Sequence, residues 1–352
     1  MNTLLENDII KAKLLHDMPI TFNGLVIENT NKCNARCAIC YQSAGSENNN
    51  HIDINKAKKC IEEAITLDTL NPRFHLAGGE AFLYMDDCID LFSTAKKAGY
   101  KTISATTNAF WCTDKEKAKN FCNILKDNGM TYIEISWDNW HKDFIKPKAI
   151  ENCIMACYEN EITTNLRILT TKSHSMEEAL NRLDEKVIPY IGQITSSPVF
   201  AVGRATEVIP GEDFYLQRGG LGTPCYSSLN LTINAHGEVY PCCAGFDQCR
   251  DYSLGSIYDE SIIDIVKRTN NDPIIRRLVF LTPSAFLPIL KEKGVAIEEK
   301  CYNNCQLCSR IFSKKENIDI IKEHFEKRKQ EAFLRFIEKL EAQLKTKKEE
   351  SR

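Results

Sequence analysis

Between residues 23 and 200 the chain alternates between two hydrophobic patterns. Short apolar or β-branched runs occur at 25–28, 74–76, 102–106, 132–136, 164–169 and 193–199. Between them apolar residues recur at helical spacing, as in Ile54, Ala57, Ile61, Ala64 and Ile65. Ala118, Phe121, Ile124 and Leu125 repeat that spacing, and so do Ile150, Ile154 and Cys157. The first pattern is that of strands, the second that of amphipathic helices. Six such alternations predict an α/β fold, a parallel sheet with helices on its outer face. Six units are too few for a closed eight-unit barrel. The expectation is a partial (β/α)6 TIM-like barrel over residues 22–205, preceded by a short extension over 1–21.

The pattern changes after about residue 205. Pro210-Gly211 and the stretch 219–224 read as a linker. Runs at 229–233 and 238–240, separated by Asn234-Ala235-His236-Gly237, predict a hairpin. A helical region follows over about 260–295. Residues 314–352 carry 12 Lys/Arg and 9 Asp/Glu, with an apolar face at Ile318, Ile321, Phe325, Phe333, Phe336, Ile337, Leu340 and Leu344. They predict a charged C-terminal helix, docked or partly frayed. The expected small domain is 206–313. Its apolar runs are short, so metal binding is expected to supply much of its folding energy.

The chain has 352 residues, 43% hydrophobic and 26% charged, which is ordinary globular composition. A net charge of −3 gives no reason to expect nucleic-acid binding. No apolar run reaches the length of a membrane span. The first residues lack the basic and apolar regions of a signal peptide, so a reducing cytoplasm is expected. In that setting the 16 cysteines change the picture. Clustered cysteines there read as metal-binding or catalytic rather than disulfide-bonded. Cys60, Cys88, Cys112, Cys122, Cys153 and Cys157 are scattered through strand and helix patterns and read as core packing.

Cys33-Asn-Ala-Arg-Cys37-Ala-Ile-Cys40 follows the first predicted strand directly. Three thiolates on one loop can hold three irons of a cubane and leave the fourth open to a ligand. Zinc sites more often pair two C-x2-C elements. The loop falls at a strand's carboxyl end, where open α/β sheets bind ligands. Gly78-Gly79-Glu80 follows the second strand. Its glycines let backbone approach a ligand, and its carboxylate can accept from an amino group.

Together these residues resemble the radical S-adenosylmethionine (radical SAM) enzymes, over about residues 22–205. The family loop is C-x3-C-x-Φ-C with Φ usually aromatic; here Ile39 takes that place. The resemblance implies a [4Fe–4S] cluster on Cys33, Cys37 and Cys40 whose unique iron binds SAM. Its reduction cleaves SAM to a 5′-deoxyadenosyl radical that takes a hydrogen atom from substrate. It implies SAM contacts at Gly78, Gly79 and Glu80 for the methionine amino group. Thr107 and Asn108 match the place that contacts the ribose. Ser136, Asp138 and Arg167 are implied as further ribose and carboxylate contacts. Phe200-Ala-Val-Gly203-Arg204-Ala205 ends the sixth strand as in members with a second cluster domain. Flavodoxin or ferredoxin is the expected electron donor.

Cys225, Gly237 and Cys242 are spaced as in the SPASM/Twitch extension of that family. The resemblance implies one auxiliary [4Fe–4S] cluster, the Twitch-like form, on Cys225, Cys242, Cys305 and Cys308. Cys301 is held in reserve, and Cys249 is also available. A structural zinc on the late cysteines is the alternative. Cys243, beside Cys242, is left as a candidate hydrogen-atom donor, or else an extra ligand or an inert thiol. The Trp137–His141 and Asn108–Trp111 segments, with the Tyr-Pro-Cys-Cys element, resemble the peptide epimerases of epipeptide biosynthesis. The expected reaction is therefore L- to D-epimerisation of a residue in a ribosomally made precursor peptide, with Cys243 returning the hydrogen. An oxidative thioether or carbon–carbon crosslink is the second possibility. A non-catalytic iron–sulfur or zinc scaffold is the third.

Overall fold

The computed structural model describes residues 18–216, 225, 229–242, 251–298 and 301–350. Six parallel strands form where the alternating runs lie: β1 (Leu25–Glu28), β2 (Arg73–Ala77), β3 (Thr102–Thr107), β4 (Tyr132–Ser136), β5 (Thr163–Thr170) and β6 (Gln193–Pro198). They pair in sequence order, each beside the next. Four helices connect the first five: α1 (Ile54–Ala64), α2 (Met85–Ala98), α3 (Lys115–Asp127) and α4 (Pro147–Glu159). The local chemistry accounts for their starts. Asp53 and Asp114 cap α1 and α3 by accepting from Lys56 N and Lys117 N. Pro147 opens α4, where its missing N–H costs nothing.

The strands' outward residues are apolar and covered by these helices: Leu25 and Ile27, Phe74 and Leu76, Ile133 and Ile135, Leu166 and Ile168 are all buried. All six scattered cysteines lie in this core, as expected. Cys122 on α3 and Cys157 on α4 meet with their sulfurs 3.7 Å apart.

The C-terminal part is joined to the first through the sheet. After the short α5 (Met176–Leu180) and α6 (Ala205–Val208), the hairpin β7 (Leu231–Ile233) and β8 (Glu238–Tyr240) forms as expected. The Asn234 carboxamide shapes its turn by accepting from His236 N and Glu238 N. Yet β7 pairs in parallel with β1, Leu25 opposite Leu231, and a short β9 (Gly255–Ser256) follows β8, so one nine-stranded sheet runs through both parts. The helices α7 (Ile262–Thr269), α8 (Pro273–Phe280), α9 (Leu287–Glu292) and α10 (Asn304–Phe312) share one hydrophobic core with the sheet. Ile265, Ile275, Phe286, Leu290 and Ile311 are buried there. Apolar packing, rather than metal alone, therefore holds this segment in place. In α11 (Lys315–Glu350) Ile318 and Ile321 dock on that core, whereas Phe333 is 63% exposed. Among the described residues, no helix is long and apolar enough to cross a membrane.

Candidate active site

The loop that leaves β1 carries Cys33, Cys37 and Cys40 into a small apolar pocket of its own. Ala35, Ile39, Ala44, Val199, Ala201 and Phe214 line it, and Cys33 and Cys37 are buried there. Each sulfur meets a hydrogen-bonding group. Ala35 N donates to Cys33 Sγ at 3.4 Å and Ala44 N to Cys40 Sγ at 3.3 Å. The His141 side chain is hydrogen-bonded to Cys37. Burial pushes the Cys33 thiol up to about 12 and moves Cys40 the same way. Thiols in that state become thiolates as metal binds, and N–H donors to sulfur are what iron–sulfur sites use.

The loop after β2 is stitched to the stretch that leads into Cys33. Gly79 N donates to Thr30 O at 2.7 Å and Glu80 N to Lys32 O at 2.9 Å. A Cβ on Gly79 would run into the Lys32 carbonyl. Gly79 is thus required where two backbones meet, a different reason from the ligand approach expected of it. Gly79→Ala should destabilise the fold by about 1–3 kcal/mol and lower the iron content. A chemical melt paired with iron analysis checks this, and unchanged values in both would refute the stitching role.

Glu80 is almost fully buried and accepts from Thr107 Oγ1 (2.9 Å), Asn108 N (2.7 Å) and Phe82 N (3.3 Å). Burial outweighs these donors and pushes its carboxyl up to about 7. Asn108 Nδ2 in turn donates to Asn34 Oδ1 at 2.8 Å, inside the cysteine loop. The structure therefore brings Glu80, Thr107 and Asn108 together beside Cys33.

Beyond β4, Asp138 Oδ1 accepts from Trp140 N at 3.0 Å and pairs with His141 Nδ1 at 2.8 Å. Burial alone would lower the His141 pKa, but Asp138 and Cys37 hold it well above the usual histidine range. Ser136 and Arg167 are register partners on β4 and β5. Trp140 packs against the cysteine pocket.

The inward face of the sheet is polar, a feature not drawn from the sequence pattern. His75 meets Ser104 Oγ (2.8 Å) and Thr106 Oγ1 (2.9 Å), and burial lowers its pKa. Asn165 Nδ2 donates to Glu134 Oε2 at 3.1 Å, and its Oδ1 accepts from Thr195 Oγ1 at 2.8 Å. Strand alternation was the available signal: these residues occupy the positions between the apolar ones.

The residues fit a bound cluster and SAM on two observations. Asp138 Oδ2 is buried with no partner among the described residues, leaving an acceptor for a ligand's donor. The buried Arg204 guanidinium donates to the Cys37 and Ala44 carbonyls. No described carboxylate lies within ion-pair distance of it, so an anionic group on this loop would complete its surroundings. Among the described residues, no three Cys, His, Asp or Glu side chains converge closely enough to hold a single metal ion. The three thiolates of a cubane each bind a different iron.

Of the later cysteines, Cys242 follows β8, and Cys305 and Cys308 lie one turn apart on α10. Cys225 N donates to Val279 O, which fixes Cys225 against α8. The Cys301 sulfur accepts from Arg310 Nη1 at 3.1 Å. Cys243 and Cys249 lie outside the described residues.

Residues 27–185 match the family model described as the Radical SAM superfamily, and residues 225–309 match that of the SPASM iron-sulfur cluster-binding domain. The chain thus carries a radical SAM domain followed by a SPASM domain. Those domains imply a SAM-binding [4Fe–4S] cluster, an auxiliary cluster and SAM itself. The chain is similar to "Putative peptide biosynthesis protein YydG" of Bacillus subtilis, 26% identical over 316 residues, covering 86% of this chain and 96% of that one. It is also similar to GTP 3′,8-cyclase of Clostridium botulinum, 24% identical over 62% of this chain and 65% of that protein. The solved structure of native anSMEcpe with bound AdoMet shares the fold: TM-score 0.51, 15% identity, 86% of this chain and 96% of that one.

Proposed function

We propose that this enzyme converts an L-residue of a ribosomally made precursor peptide to its D-form. The observation that carries the peptide substrate is the likeness to a peptide biosynthesis protein across 86% of this chain and 96% of that one. The polar inward face supports it, because a peptide backbone brings donors and acceptors that need partners once buried. In this reading Cys33, Cys37 and Cys40 hold the SAM-binding cluster, and Cys225, Cys242, Cys305 and Cys308 the auxiliary one. Glu80, Gly78 and Gly79 receive the methionine end of SAM. An arriving ammonium would draw the Glu80 carboxyl back to its ionised form. Thr107, Asn108, Ser136, Asp138 and Arg167 receive the ribose and carboxylate.

SAM bound at a reduced cluster supplies the radical that removes a Cα hydrogen atom. The chain's own part is placement, and then return of a hydrogen atom by the Cys243 thiol from the opposite face. The S–H bond is weak enough for a thiol to donate a hydrogen atom to a carbon radical. The sulfur then needs one electron and one proton per turnover, the role given to a flavodoxin- or ferredoxin-type donor.

The product of the wild-type enzyme decides between the two chemistries. Epimerisation leaves the peptide mass unchanged in ordinary water and adds one solvent deuterium at Cα in heavy water, since thiol protons exchange. Crosslinking removes two mass units and adds no deuterium there. Cys243→Ala should still cleave SAM but lose inversion. A two-unit loss in the wild-type product would reject epimerisation.

A further inference from the structure

The turn after β6 does more than end a strand. It closes over the cysteine loop, although the two are more than 150 residues apart in the chain. Gly203 has φ +57, and a Cβ there would collide with the Tyr41 carbonyl, so the turn can lie flat on the loop only as glycine. Arg204 N donates to Cys40 O at 3.1 Å. Its guanidinium reaches past that point and is 7% exposed, donating from Nη1 to Cys37 O (2.8 Å) and from Nη2 to Ala44 O (2.7 Å). Three hydrogen bonds from one residue thus span the loop from Cys37 to Ala44.

All three acceptors are neutral carbonyls. Carbonyls satisfy the N–H groups of a buried guanidinium but leave its charge uncompensated. Glu47, on the same loop, is exposed and paired with Arg36, and no described carboxylate lies within ion-pair distance of Arg204. Among the described residues the sulfurs of the loop are the remaining candidates for counter-charge, because Arg204 bonds to the loop backbone at Cys37, Cys40 and Ala44. Three thiolates on a cubane give that counter-charge, and reduction adds one more negative charge at the same place.

Resting on the assignment of the SAM-binding cluster to this loop, we propose that Arg204 is a positioning residue that also eases reduction of that cluster. Its hydrogen bonds fix the loop on which the thiolates stand. Its fixed charge, in a site walled off from water, stabilises the reduced cluster more than the oxidised one. The guanidinium stays charged throughout, so the effect needs no proton transfer.

The test is an EPR-monitored redox titration of the full, iron-loaded chain, in which the SAM-binding cluster is the signal that changes shape when SAM is added. At the potential that half-reduces the wild-type cluster, Arg204→Gln should lower the ratio of reduced to oxidised cluster about tenfold, the effect of one nearby charge. Arg204→Lys keeps the charge but not the paired hydrogen bonds. It should lower iron content while its loaded fraction titrates close to wild type. If Arg204→Gln titrates as wild type, the electrostatic role is wrong, whatever its iron content. An equal shift in Arg204→Lys and Arg204→Gln would also overturn it, because charge would then not be the cause. A wild-type chain with no SAM-sensitive signal would instead reject the cluster assignment on which the proposal rests.

Discussion

Replacing Cys33, Cys37 and Cys40 together with alanine is expected to remove about four irons per chain, one cubane, and to abolish SAM cleavage. The fold should survive. The three side chains sit in a small pocket separate from the main core, and the strand that leads into them is buried independently. The loop would keep the Arg204 hydrogen bonds, which reach backbone carbonyls and not sulfur. The auxiliary cluster should remain, since its proposed ligands lie just after β8, on α10 and beside α8. Iron analysis and 5′-deoxyadenosine release under dithionite read both effects. Loss of all iron would mean that one cluster depends on the other. Loss of none would mean that the loop is not a ligand set, and the scaffold reading would regain ground.

The parallel sheet was legible because each strand announces itself twice. Phe74 and Leu76 alternate with His75, and Ile133 and Ile135 with Glu134, so the period of two is clear and the outward face is marked. The cysteine loop was legible because its three cysteines fall within eight residues and need no knowledge of the fold. What the sequence hid is long-range. Nothing in Leu231–Ile233 says that it will pair with Leu25–Ile27, since strand pairing across about 200 residues leaves no local pattern. The Gly203-Arg204 pair was placed at the end of the sixth strand, but nothing local shows that Arg204 reaches the carbonyls of Cys37 and Ala44. Glu80 stood out in the sequence as the carboxylate after Gly78-Gly79, but its hydrogen bonds to Thr107 and Asn108 depend on β2 and β3 being neighbours. The apolar stripe of α11 is periodic throughout, yet Phe333 stands in the open.

Cys308→Ala is expected to cost the auxiliary cluster while leaving the surrounding helices intact. From the sequence alone, with metal binding expected to supply much of the folding energy of 206–313, loss of a ligand is expected to cost solubility as well as the cluster. The structure changes that expectation. Cys308 is 6% exposed on α10, and its neighbours Leu307, Ile311 and Phe312 are buried in the same core as the sheet. Phe286 and Tyr252 pack against Phe312 with ring centroids 5.3 and 5.8 Å away. Burying side chains of this size contributes about 1.5–3 kcal/mol each, so α10 stays docked when a sulfur is removed. An alanine in place of the thiol leaves a small void, with a cost of about 1 kcal/mol. The variant should therefore show near-native helicity by circular dichroism and a modestly lowered melting midpoint. It should lack one cluster by iron analysis, and the SAM-sensitive EPR signal should persist. Retention of the full iron content would remove Cys308 from the ligand set and bring Cys301, now hydrogen-bonded to Arg310, forward in its place. Collapse of the helical signal would show that the cluster, and not the apolar core, holds this part of the chain together.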